Sequence, residues 1–369
     1  MRKTLVCGAA FAAVCVSAVA VPAGAHANAP GPTPSGPAVT EPGPPGPTET
    51  GSPSTSSTSQ PEGPQDGGTP GGGQTAGPDG EPDGTVTAHA VMVTPELPKV
   101  RGYAYGKASA QRIDAYWRDQ GPRARPRPVV LILHGGYWLG GDKGGGWKYF
   151  ARRLTEEGYV VLSANYRLAP KAQWPAQRDD SLAALDFIKR HARLWNADPS
   201  RVAVLGSSAG GHLATQLGTF GTGTRQVRGV VALSPPNNPL MAFQDGLKPG
   251  ASPRQVKLRR AVTDLVGCTP DTASDDAVGL AECAGRLEDA SSVTHVSPGD
   301  APMLLMHGSG DFVPVAQSTE LATALRAAGV PVTVKTVEGD MHAAEMLDDE
   351  HTYPTIVSFL KKHLKPRAQ

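Results

Sequence analysis

The sequence predicts an α/β architecture: a mainly parallel, eight-stranded sheet with helices on both faces and a small cap inserted late in the chain. Two observations predict it. Short apolar runs alternate with longer amphipathic ones, the pattern of strands joined by crossover helices. The run Pro128-Val-Val-Leu-Ile-Leu133 has no polar alternation, which marks a strand buried on both faces, as parallel strands are.

The elements follow in order. Arg101–Tyr105 and Arg112–Trp117 read as two early strands running antiparallel, and 128–133 as the first central strand. A helix over 148–158 stops at Gly158, and the next strand covers Tyr159–Tyr166. A long helix starts behind Pro175, runs to about Ala197 and ends before Asp198-Pro199, a turn signal. Arg201–Gly206 is a strand, followed at once by a helix beginning near Ala209. Val227–Ser234 and Met303–His307 are two further buried strands, and the residues between them, about 236–296, form the cap. A helix over 315–328, a strand over 332–337 and a helix over 353–363 complete the domain.

The folded domain is expected to span residues 86–369; two segments precede it. Arg2 and Lys3 stand before an apolar run from Leu5 to Val21 that ends in small residues, Ala23, Ala25 and Ala27. That is the layout of a secretory signal peptide, residues 1–27, rather than of a membrane anchor. Neither Cys7 nor Cys15 follows a small residue, so a lipid-anchored leader is disfavoured. Residues 28–85 are dominated by Pro, Gly, Ser and Thr, with seven acidic residues, no Lys or Arg and no aromatics. Such a segment buries no core and is expected to be a disordered spacer. Export to the extracellular space or the cell wall, with no membrane insertion after cleavage, is the expectation.

Cleavage leaves only Cys268 and Cys283. An even pair in an oxidising compartment reads as a disulfide. Loss of Arg2 and Lys3 leaves 33 basic residues against 34 acidic ones, a balance that offers nothing to nucleic acid or an anionic membrane. The cap contains Arg254, Lys257, Arg259 and Arg260 with no long apolar face, which argues against binding at a lipid interface.

Four motifs carry chemistry. Gly206-Ser207-Ser208-Ala209-Gly210 fits GxSxG and sits between a predicted strand and a predicted helix. A serine on that sharp turn projects its hydroxyl above the sheet. His134-Gly135-Gly136-Tyr137-Trp138 follows the buried strand; its paired glycines, with the N–H of Ala209, are candidates for an oxyanion hole. Asp311 ends Gly308-Ser309-Gly310-Asp311, and His342 ends Gly339-Asp340-Met341-His342. A serine hydroxyl needs an imidazole to take its proton, and the imidazole needs a carboxylate to fix its tautomer. The order Ser208, Asp311, His342 supplies these three groups.

Rival residues read as structural: His134 orders its own loop, His212 packs one turn past Ser208, and His307 ends a strand. Asp340, Asp348 and Asp349 lie too near His342 in the chain to point at its ring. No His and Cys cluster stands at metal spacing and no GxxxxGK occurs, so no metal and no nucleotide cofactor is expected.

His134-Gly135-Gly136, Asn165-Tyr166-Arg167-Leu168-Ala169-Pro170, Trp174-Pro175-Ala176-Gln177 and Ser208-Ala209-Gly210-Gly211-His212-Leu213 together resemble the hormone-sensitive-lipase-like esterases of the α/β-hydrolase fold. Within these they are similar to the branch of bifunctional deacetylase and feruloyl esterases, reinforced by Val296-Ser297-Pro298 and Ala301-Pro302. The resemblance implies a cofactor-free serine esterase acting on small or polysaccharide-linked acetyl or feruloyl esters. Tyr137 replaces the third glycine of many relatives, and His134-Gly135-Gly136-Tyr137-Trp138 is also similar to the motif of kynurenine formamidases, which implies an aryl formamide as alternative substrate. Ala343 follows His342 where relatives frequently have glycine. A non-catalytic surface binding module is the third expectation, since a fold alone does not fix a function.

Overall fold

In the computed structural model, which describes residues 97–119, 121, 124–221, 226–270 and 277–366, eight strands pair into one sheet. They are β1 (Lys99–Ala104), β2 (Arg112–Trp117), β3 (Arg127–Leu133), β4 (Val160–Ala164), β5 (Ala197–Ser207), β6 (Val230–Leu233), β7 (Met303–Gly308) and β8 (Val332–Val337). Their order across the sheet is β1-β2-β4-β3-β5-β6-β7-β8. β1 and β2 pair antiparallel, as does β2 with β4, and every pairing from β4 to β8 is parallel. All these residues fall in the unit Ala88–Gln369. The expected leader, 1–27, and spacer, 28–85, lie outside the described residues. No described helix is long and apolar enough to cross a membrane.

The continuous apolar run of β3 is buried on both sides because alternate side chains enter two different clusters. Val129, Leu131 and Leu133 pack with Leu185 and Ile188 of α2 (Ala176–His191) and Leu213 and Leu217 of α3 (Ala209–Thr219). Val130 and Ile132 face the other way, onto Phe150 and Leu154 of α1 (Trp147–Glu156) and the closing C-terminal helix's Ile356 and Leu360. Truncating Leu131 or Ile132, both fully buried, would cost about 2–5 kcal/mol each.

The cap between β6 and β7 consists of α4 (Pro239–Asp245), α5 (Pro253–Val266) and α6 (Ala277–Ala290). Helix α5 is specified at both ends. Ser252 Oγ accepts from the Gln255 N–H at 3.3 Å, Gln255 Oε1 accepts from the Ser252 N–H at 2.8 Å, and Pro253 opens the first turn. Gly267, at φ 70°, ends it in the left-handed conformation. A disulfide joins Cys268, just past α5, to Cys283 of α6, with Cα atoms 5.9 Å apart, as their pairing in the sequence predicts. Helices α7 (Ala316–Ala327) and α8 (Thr352–His363) follow β7 and β8.

Three boundaries near the site differ from the sequence reading. The long helix stops at His191 and tightens into a 3-10 turn over Ala192–Trp195, which ends at Asn196 with φ 49°. The Asp198-Pro199 turn is absorbed into β5 as an irregularity: pairing passes from Arg127 with Ala197 to Val129 with Val202, so two steps on β3 match five on β5. Asp198 stabilises this bulge by accepting from the Ser200 N–H at 2.9 Å and from Arg201 Nε at 2.7 Å. The strand expected to reach Tyr166 ends at Ala164, which frees Tyr166 to serve the neighbouring loop.

Candidate active site

Ser208 stands between the last residue of β5 and the first of α3, at φ 52° and ψ −118°. Such a conformation costs a non-glycine residue about 1–3 kcal/mol and persists only where the surroundings over-determine it. They do so here. The Ser208 N–H donates to Leu233 O at 2.7 Å and Ser208 O accepts from the His212 N–H at 3.0 Å. A Cβ on Gly206 would overlap the Gly210 carbonyl, and one on Gly210 would overlap the carbonyls of Leu133 and His134. The two glycines of the motif are therefore required by close backbone approach, and Ser208 is held 8 % exposed.

The glycine loop after β3 abuts this turn. A Cβ on Gly135 would lie 2.8 Å from Ser207 O and 3.2 Å from Ser208 Cβ. Gly136 has φ 123°, and its carbonyl accepts from the N–H groups of Leu139 and Gly140, both at 3.0 Å. Tyr137 and Trp138 are also left-handed, at φ 59° and 60°, so the position occupied by Tyr137 needs the backbone that a third glycine adopts freely. Trp138 is fully buried. His134 orders the loop as expected: its Nδ1 lies 2.8 Å from Gly135 O and its ring stacks on Tyr166 at 4.4 Å. Tyr166 Oη in turn donates to His134 O at 2.8 Å. Burial pushes the His134 imidazole pKa down.

Asp311 and His342 come from the connections after β7 and β8 and meet across 31 residues of chain. His342 Nδ1 lies 2.9 Å from Asp311 Oδ1 and 3.0 Å from Oδ2, so Nδ1 is the nitrogen that donates to the carboxylate. The Asp311 side chain is fully buried and that of His342 is 15 % exposed. The Val313 N–H donates to Asp311 Oδ1 at 3.0 Å, and the His342 N–H donates to Glu345 Oε2 at 2.8 Å. The two connections are fastened together: the Gly310 N–H donates to Gly339 O and the Ser309 N–H to Val337 O, both at 2.8 Å. Ser234, at the end of β6, bridges to the serine side, because its Oγ accepts from the Ala343 N–H at 2.8 Å while its neighbour Leu233 holds Ser208. Ala343 has φ 53°, which accounts for the glycine that relatives frequently place there.

The rival residues serve the scaffold. His307 lies 3.1 Å from Val313 O through Nδ1 and 2.7 Å from Ser318 Oγ through Nε2, and burial pushes its pKa down to about 4. Asp349 accepts from Thr352 Oγ1 at 2.9 Å, away from the imidazole of His342. Arg167 clamps buried Asp180, with Nε–Oδ2 at 2.9 Å and NH2–Oδ1 at 2.7 Å. Residues invisible to the sequence reading are Asp289, which takes Trp174 Nε1 at 2.7 Å and Arg178 at 2.9 Å, and Phe312, which forms an aromatic rim with Tyr137. The Phe312 ring lies 4.3 Å from that of His342. Its adjacency to Asp311 was the signal on offer.

A family model described as BD-FAE matches residues 113–325, which include Ser208 and Asp311. Esterase LipC of Mycobacterium tuberculosis is 30 % identical over 289 residues, covering 73 % of this chain and 66 % of LipC. A probable carboxylic ester hydrolase of the same organism, LipM, is 29 % identical over 277 residues, covering 69 % and 58 %. The chain thus spans less than two thirds of either relative's length. Two solved structures share the fold with TM-score 0.60 and 21 % identity: a truncated carbohydrate esterase from gut microbiota, covering 72 % of this chain and 96 % of that one, and the carboxylesterase EstE1 from a metagenomic library, covering 74 % and 92 %. Eight strands in this order, a serine at the tip of β5 and these matches lead to one assignment: the chain belongs to the BD-FAE family and has the α/β-hydrolase fold.

Proposed function

We propose that the protein is a carboxylic ester hydrolase that works through an acyl-enzyme on Ser208. The observation that carries this reading is the Asp311–His342 pair, fastened to the strained Ser208 turn through the end of β6. Ser208 Oγ attacks the ester carbonyl carbon while His342 Nε2 takes its proton. The N–H groups of Gly135, Gly136 and Ala209 receive the oxyanion, each such donor being worth about 3 kcal/mol in comparable sites. As the C–O bond to the alcohol breaks, His342 returns the proton to the leaving oxygen. Water then adds to the acyl-enzyme, gives its proton to His342, and the acid departs as Ser208 recovers that proton. Asp311 keeps Nδ1 protonated and stabilises the imidazolium. No cofactor takes part.

The leader and spacer favour an exported enzyme, and the polar cap favours short acyl groups on small molecules or polysaccharide over oil. A carbohydrate esterase and an acetyl ester–xyloside bifunctional hydrolase among the fold's solved members are consistent with such substrates. The test is labelling of Ser208 by a fluorophosphonate together with a panel of acetyl, butyryl, longer-chain and feruloyl esters and N-formylkynurenine. Label on Ser208, turnover falling steeply beyond short chains, and loss of about 10⁴-fold or more in Ser208→Ala are the expected results. A p-nitrophenyl acetate burst that survives Ser208→Ala would overturn the mechanism; preference for the formamide would overturn the substrate. Secretion is checked by the mature N-terminus, expected just after Ala25 or Ala27.

A further inference from the structure

Beside the imidazole of His342, four side chains from three separate parts of the chain form a rim. Tyr137, from the glycine loop, and Phe312, next to Asp311, lie with ring planes 19° apart and centroids at 6.1 Å. Helix α5 of the cap sets a cation over each ring: Arg254 Cζ is 5.7 Å from the Phe312 centroid and Lys257 Nζ 4.6 Å from that of Tyr137. Both cationic residues are exposed, and neither has a carboxylate partner among the described residues. Tyr137 and Phe312 are themselves part-exposed, so the rim faces outward from the site.

Resting on the esterase reading, we propose that Arg254 and Lys257 make the enzyme selective for esters whose alcohol portion carries a carboxylate, as an ester on an acidic sugar does. The side of the substrate follows from proton transfer. The leaving oxygen must take its proton from His342, so the alcohol passes the imidazole, and Phe312 lies against that ring. The aromatic faces receive the apolar side of the alcohol portion while the two cations meet its charge. Exposed cation–π contacts are weak, so both side chains are free to turn from the rings to an arriving anion. Arginine offers a planar fork matched to a carboxylate, and lysine a mobile point charge.

The experiment compares 4-acetoxybenzoate with its neutral isostere 4-acetoxybenzamide in the full chain, as kcat/KM divided by each ester's alkaline hydrolysis rate. At low salt the anionic ester is expected to lead by about fivefold to tenfold, the scale of two partly exposed charge contacts. That ratio should collapse towards one in Arg254→Gln/Lys257→Gln, and in the unaltered protein when salt rises to about 0.5 M and screening shortens. A ratio near one in the unaltered protein at low salt, with both esters turned over, overturns the inference and leaves the esterase reading standing. So does a preference that survives both the double variant and salt. Turnover of neither ester removes the esterase reading and this inference with it.

Discussion

The indole Nε1 of Trp138 donates to His212 Nδ1 at 3.2 Å, deep in the interior. This bond fixes the imidazole as neutral, with its proton on Nε2, which lies 2.6 Å from Ala290 O. One buried ring thereby joins the glycine loop, the helix behind Ser208 and the last residue of α6. Trp138→Phe keeps most of the packing and strands a buried acceptor. A loss of about 1–3 kcal/mol in urea denaturation is expected, with kcat lowered more than KM is raised, because the glycine loop relaxes against Ser208. Unchanged stability would show that the bond is not made.

Acid should unfold the domain through histidine. Unfolded imidazoles bind protons near pH 6.5, whereas burial holds folded His212 and His307 at about 4. Between these values the unfolded chain holds more protons, so stability is fully present above about pH 6.5 and drains away as pH falls towards 4. Each ring contributes up to roughly 3 kcal/mol. Denaturation free energies between pH 6.5 and 5 should approach a slope of two protons, and His307→Asn should remove about one of them. A flat profile would contradict the neutral, buried assignment.

Two glycine-to-alanine changes should act in opposite directions. At Gly210 a methyl group collides with the Leu133 and His134 carbonyls, which cannot yield without moving β3, and a cost of about 3 kcal/mol or more is expected. At Gly285, exposed within α6, a Cβ meets nothing within 4 Å, and alanine should stabilise by about 0.5–1 kcal/mol. Thermal melts of the two variants check both signs.

Reducing the Cys268–Cys283 bond, or replacing both cysteines by alanine, should destabilise by up to about 3 kcal/mol, the chain-entropy value for its separation of 15 residues. Arg286 also ties α6 to α5, through NH1 to Val266 O at 3.0 Å, so the cap should loosen rather than detach. Hydrogen exchange localised to 253–290 distinguishes loosening from global unfolding.

The central strands were legible because burial on both faces leaves a nearly unbroken apolar run, a local property of the chain. The turn that bears Ser208 was legible for the same reason: strand, turn and helix are contiguous around it. Asp311 and His342 were placed by order alone, and their 2.9 Å contact agrees with that order. Asp198-Pro199 misled because a bulge and a turn use the same residues, and only the β3 partner distinguishes them. The partnership of Asp289 with Arg178 and Trp174 spans more than 100 residues, and no periodicity reports such a distance. The rim over Phe312 was hidden likewise, since Arg254 and Lys257 read only as basic residues of the cap.

His342 sits beyond β8, the outermost strand of the parallel edge, and far along the chain from Ser208. In synthesis from the N-terminus Ser208 is therefore made well before the imidazole proposed to deprotonate it. On the proposed mechanism, Ser208 lacks its base until the edge strand β8 and the connection beyond it are in place. The nascent chain thus carries its proposed nucleophile before the imidazole proposed to activate it has been made.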